Sequence, residues 1–186
     1  DVDGKYRGLD QNIHQASGFQ NYTIFSLWDT YRAEHPLLML MKPDEARDMV
    51  MSMIRHQQQS VHGLLPVWSH MANDNWCMSG YHATSVLADA ISKGADIDVD
   101  EALKAMVTTS NVDYFDGIGD YIRLGYVPLE VSGTAASTTL EYAYDDWCIY
   151  QMGKKLGRPN DELELFKKRS QNYRNVFDQE QIDERS

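Results

Sequence analysis

Stretches of helix length, each closed by glycine or proline, constrain this chain more than anything else in it. Pro43 opens one such stretch, with Asp44 and Glu45 in the first turn where carboxylates favour the helix dipole. Ala46, Met49, Val50, Met53, Ile54 and Gln57 then recur at helical spacing to about Gln59. A helix over 81–93 ends at Gly94, and Asp98 with Glu101 three residues on caps another to about Thr109. A shorter helix over 114–124 is closed by Gly125 and Pro128. Thr138 with Glu141 has the form of a capping box for a long helix to Leu156, stopped by Gly157 and Pro159. Asn160 caps a last helix with Leu163, Phe166, Ser170, Tyr173 and Phe177 on one face. Upstream, a helix is expected from about Tyr22 to Glu34, where Pro36 stops or kinks it.

Residues 1–22 carry Gly4, Gly8 and Gly18 and read as loop or short extended pieces, and the charged tail 179–186 reads as frayed. No strand-period alternation of any length and no short repeat is present. Helices joined by ordinary loops pair antiparallel, so the expectation is an all-α chain forming a solenoid, toroid or bundle.

Composition narrows the function classes. The 186 residues are 42% hydrophobic, enough for one domain with a core. A net charge of −11 argues against nucleic acid, which needs basic patches, and leaves a neutral ligand such as a carbohydrate unaffected. No apolar run approaches a membrane span. The start lacks both an initiator Met and a signal-peptide pattern, so the chain reads as processed or as part of something longer. Cys77 and Cys148 are too few for a disulfide scaffold and could be a bridge or two thiols.

The stretch 25–36 gathers an indole, a carboxylate, a guanidinium and an imidazole. On a helix Trp28, Arg32 and, less closely, Tyr31 share a face, and Asp29 lies within one turn of Arg32, so that the two can hold each other's rotamers. An indole beside a carboxylate and a forked donor suits a sugar, whose C–H face stacks while its hydroxyls take the charged groups. The plainer alternative is a surface Asp29–Arg32 pair next to a core Trp28. Glu141 and Asp145 share a face of the long helix, where like charges repel unless something such as a cation or a sugar sits between them. The alternative there is a solvated acidic stripe including Asp146. His82 could donate to a ligand oxygen or simply bond locally. Trp68 and Trp76 flank a polar loop that is either a pocket rim or a pair of wedges between helices. No spacing for a transition-metal site, no phosphate loop and no nucleophile elbow is present.

Six blocks read together in order: Tyr22 to Arg32 with His35-Pro36-Leu37; Gly63 to Trp68; Cys77 to His82 with Ala88-Asp89-Ala90 and Lys93-Gly94; Gly125 to Pro128; Thr139 to Trp147; and Asn172 to Asp178. They resemble glycoside hydrolase family 92, the calcium-dependent, inverting exo-α-mannosidases, over nearly the whole chain. The resemblance implies that residues 1–186 are part of an (α/α)6 toroid catalytic domain, preceded in the family by a β-sandwich domain. It implies an α-mannosidase, α-1,2-acting, releasing mannose from glycans such as N-glycans, in the periplasm or outside the cell. It also implies Ca2+, with the metal ligands, the general acid and the base lying outside this chain. Trp28 and Asp29 match the family's sugar-contacting motif, followed by Arg32, His82 and Trp68, so this part would position the sugar. The competing expectation is a truncated, non-catalytic carbohydrate-binding or structural α/α module.

Overall fold

The structure, a computed structural model, describes residues 3–23 and 25–178. Among these the chain is mostly helical: α1 (Leu27–Thr30), α2 (Glu34–Met41), α3 (Pro43–Gln59), α4 (Ala83–Ser92), α5 (Val99–Thr109), α6 (Ile118–Leu124), α7 (Ala135–Lys155) and α8 (Asn160–Arg169), then a 3-10 turn over Asn172–Val176. The all-α expectation holds. Two small antiparallel hairpins add to it, β1 (Lys5–Arg7) with β2 (Ile13–Gln15) and β3 (Ser69–His70) with β4 (Asn73–Asp74). Strands of two or three residues are too short to show an alternating pattern, so only the extended character of the lead-in was readable. The tail 179–186 lies outside the described residues.

α3 has the bounds its punctuation predicts, and Asp98 caps α5 by accepting from the backbone N–H of Asp100 and Glu101. Several boundaries differ from expectation. α6 begins at Ile118 rather than near 114, because Gly117 before it is left-handed at φ +75°, and Asn160 is the first residue of α8 rather than its cap. The helix expected over 22–34 shrinks to the single turn of α1, because preceding backbone groups bond elsewhere: Tyr22 N–H donates to Ser52 Oγ at 2.8 Å and Leu27 N–H to the Val67 carbonyl at 3.3 Å. Pro36 does not stop a helix. It lies in the first turn of α2, where a missing N–H costs no intrahelical bond. α7 begins at Ala135, so Thr138 lies inside the helix, and Glu141 is freed from the capping box to point at α1.

The main core joins α2, α3, α4, α5, α7 and α8 through Met39, Val50, Met53, Leu87, Met106, Ile149 and Phe166. A second cluster around Tyr81, Ile118, Tyr121 and Tyr142 seats α6 against the start of α7. α8 folds back on α7 after a four-residue connection, and Gly153 allows the close approach, since a Cβ there would collide with Leu163 Cδ2. Of the face expected on the last helix, Leu163, Phe166 and Ser170 are buried, whereas Tyr173 and Phe177 are exposed because α8 has already ended at Arg169. No described helix is long and apolar enough to cross a membrane.

Candidate carbohydrate site

Glu141 is the centre of a side-chain cluster that the local sequence does not announce. Its Oε1 accepts from Trp28 Nε1 and from Arg32 Nη2, both at 3.0 Å, and its Oε2 accepts from the Tyr31 hydroxyl at 3.0 Å. His82 Nε2 lies 3.3 Å from Oε2, while His82 Nδ1 lies 3.1 Å from Asp145 Oδ1. The Tyr31 ring stacks on His82 with centroids 3.9 Å apart and planes 10° from parallel. The Arg32 guanidinium stands over both Trp28, at 5.0 Å, and Tyr31, at 4.7 Å.

The imidazole of His82 therefore occupies the gap between the like charges of Glu141 and Asp145. Burial alone would push His82 down, but Asp145 and Glu141 outweigh it and raise it to about 9. The cation between two acids that share a helix face is thus a side chain of this same chain. Burial would raise Glu141, but His82, Tyr31 and Arg32 hold it down at about 2, an anion at all ordinary pH. The backbone makes room for this: Gly80 has φ +91°, and a Cβ there would collide with the His82 ring.

Of the residues singled out from the sequence, Trp28, Arg32 and His82 are brought together here. Asp29 is not tied to Arg32 as expected. Arg32 turns to Glu141, and Asp29, exposed to solvent, takes the Ser26 hydroxyl instead. Arg32 is drawn away by the enclosed Glu141 carboxylate, which also takes the Trp28 indole N–H. Trp68 runs beside α1 through the Leu27–Val67 backbone bond; it is half-buried, and its buried indole nitrogen has no hydrogen-bond partner among the described residues. Sequence reasoning missed Tyr31 as stacking partner and Glu141 as hub. The available signal was the like-charge spacing of Glu141 and Asp145.

A solvated acidic stripe on α7 is also excluded, since Asp145 and Asp146 are both fully buried. Asp146 serves a separate, structural cluster. It accepts from the hydroxyls of Tyr81 at 2.9 Å and Tyr121 at 3.0 Å and from Arg169 Nε at 2.7 Å. Arg169 Nη2 continues to the Ser110 carbonyl at 2.7 Å, so one guanidinium ties α8 to α5 and α7. Cys77 is exposed and Cys148 buried, both as free thiols. A cleft of about 550 Å³ between α3 and α5, lined by Gln57, Gln58, Glu101 and Lys104, contains no aromatic side chain and shares no residue with the Glu141 cluster. Among the described residues no group of three or more His, Cys, Asp or Glu side chains is arranged to hold a metal ion.

An indole, a guanidinium and an exposed carboxylate thus lie on one short segment, braced from behind by α7. The profile of the glycosyl hydrolase family 92 catalytic domain matches residues 1–183, and the chain belongs to this family. Among solved structures, it is similar to a family GH92 α-mannosidase from Bacteroides thetaiotaomicron in complex with mannoimidazole, at 47% identity with a TM-score of 0.91 over 96% of this chain. A family GH92 inverting mannosidase from the same organism matches at 34% identity with a TM-score of 0.83, again over 96% of this chain. A secreted glycosidase of Arthroderma benhamiae is 29% identical over 81% of this chain. The chain spans 23%, 25% and 21% of these relatives' own lengths, respectively.

Proposed function

We propose that this chain is the sugar-positioning part of an exo-acting α-mannosidase, which releases mannose from glycans with inversion, preferring α-1,2 linkages, in the periplasm or outside the cell. The observation that carries the reading is the 47% identity over 96% of the chain to a solved α-mannosidase bound to mannoimidazole. The Glu141 cluster agrees with it. The C–H face of mannose would stack on Trp28, and the exposed Asp29 carboxylate would accept from its hydroxyls. Arg32, half-exposed with one Nη committed to Glu141, would donate from the rest of its fork.

The carboxylates of the cluster are both engaged: Glu141 accepts from Trp28, Tyr31 and Arg32 with His82 Nε2 3.3 Å away, and Asp145 accepts from the Tyr81 N–H and lies 3.1 Å from His82 Nδ1. An inverting reaction needs an acid and a base about 6.5–9.5 Å apart, and in this reading both come from the remainder of the same enzyme, together with the groups that hold calcium. What these residues supply is orientation: a substrate held in one pose turns the chemical step into a local one.

That engagement of every clustered carboxylate also favours a second reading, a carbohydrate-binding α/α module without hydrolysis. Mannose release from α-1,2-mannobiose separates the two, assayed with this chain and with the intact enzyme that carries it, with calcium and then with a chelator. Release by the intact enzyme alone, abolished by the chelator, is the expected result. Mannose binding without release by the intact protein would leave the module. Release by the 186-residue chain alone would overturn the placing of acid and base elsewhere.

A further inference from the structure

Trp28 projects from α1, a helix of a single turn, and Tyr31 and Arg32 follow in the turn after it. One helical turn is too short to hold its own side chains rigid. The bracing comes from α7, through one carboxylate. We propose that Glu141 is a positioning residue that sets the plane of the Trp28 indole and the place of the Arg32 guanidinium, and so the sugar-facing wall of the mannose site. The proposal rests on the mannosidase reading for its ligand, though not for its geometry.

An indole has one donor. Bonding it to Glu141 Oε1 at 3.0 Å fixes the ring's rotation at its far end. The same oxygen holds Arg32 Nη2 at 3.0 Å, which keeps the guanidinium over the ring. A single atom therefore fixes both members of the wall relative to each other. The second oxygen faces inward, to the Tyr31 hydroxyl and His82, and fixes the carboxylate itself. The Glu141 side chain is only 12% exposed and lies behind the wall, acting through Trp28 and Arg32.

The test uses the intact enzyme labelled with fluorotryptophan, its Trp28 signal assigned by Trp28→Phe. Glu141→Ala removes every bond of the hub. Glu141→Gln keeps the shape and one acceptor, and covers the case in which the alanine variant folds poorly. Fluorine NMR reads the indole environment, and steady-state kinetics on α-1,2-mannobiose read KM and kcat separately. The expected result is a displaced or broadened Trp28 signal in both variants, with KM raised about tenfold, more than kcat falls. A Trp28 signal unchanged in Glu141→Ala would overturn the proposal, as would a displaced signal with unchanged KM. If the wild-type enzyme neither binds nor cleaves the mannoside, the mannosidase reading fails and takes the sugar-facing claim with it. The displaced indole signal would then still record the Glu141–Trp28 coupling, so the two failures are told apart.

Discussion

Trp28 and Glu141 stand 113 positions apart in the chain, and the indole N–H of the first donates to the carboxylate of the second at 3.0 Å. Among the described helices the contact joins the shortest to the longest, and it ties the segment around α1 to a residue that faces it from behind.

The charge state of His82 gives the cluster an alkaline limit. Its value of about 9 is above the ordinary 6.5, so its contribution to stability is complete below about 6.5 and is lost as pH rises through about 9. The groups facing it are Glu141 and Asp145 on α7 and the stacked ring of Tyr31. A shift of this size corresponds to roughly 3 kcal/mol. The unfolding free energy of the wild type should fall toward that of His82→Gln between about pH 7 and about pH 10. A constant gap across that range would mean His82 is neutral in the folded chain.

Arg169→Met should be among the most damaging single changes. It leaves the Asp146 carboxylate fully buried with two tyrosine hydroxyls and no cation. The expected loss is about 3 to 5 kcal/mol in urea unfolding, and the double variant Asp146→Asn, Arg169→Met should recover part of it. No recovery would place the role of Arg169 in its bond to the Ser110 carbonyl.

Asp29→Ala should do the opposite. The carboxylate is exposed and, among the described residues, holds only the Ser26 hydroxyl, so stability should move by less than about 0.5 kcal/mol. Mannose affinity of the intact enzyme, followed by titration calorimetry, should drop. A large stability loss would instead make Asp29 a structural residue of α1.

The two thiols should behave differently. Cys77 is exposed, whereas Cys148 is buried, and burial pushes its thiol well up. A thiol reagent should modify one cysteine of the native chain and two after denaturation, with no change in gel mobility on reduction. Two equivalents in the native state would mean that α7 opens readily at Cys148.

What could be read from the sequence was whatever is local. α3 declares itself through Pro43, two acids in the first turn and an apolar face, and α5 through the Asp98 cap, because each signal and its consequence lie within one turn. The helix expected over 22–34 differs from α1 and α2 because Pro36 looks the same in sequence whether it ends one helix or lies in the first turn of the next. Trp28 and Arg32 were recognisable together by their chemistry, and His82 joined them only through the family resemblance. Their meeting point was not, since Glu141 lies more than a hundred residues from Trp28 and Arg32. Its spacing from Asp145 was the one visible trace, an apparent repulsion that His82 resolves.

Asp145 and Asp146 are neighbours on α7, and their partners, Tyr81 and His82, are neighbours at the start of α4. Asp145 takes the Tyr81 N–H and His82 Nδ1, while Asp146 takes the Tyr81 hydroxyl. Apolar side chains alone would let two packed helices slip lengthwise into another set of grooves at little cost. A slip of one turn, about 5.4 Å, would here strand two buried acids together. The paired acids thus act as an index pin between α4 and α7, allowing one register and rejecting the rest.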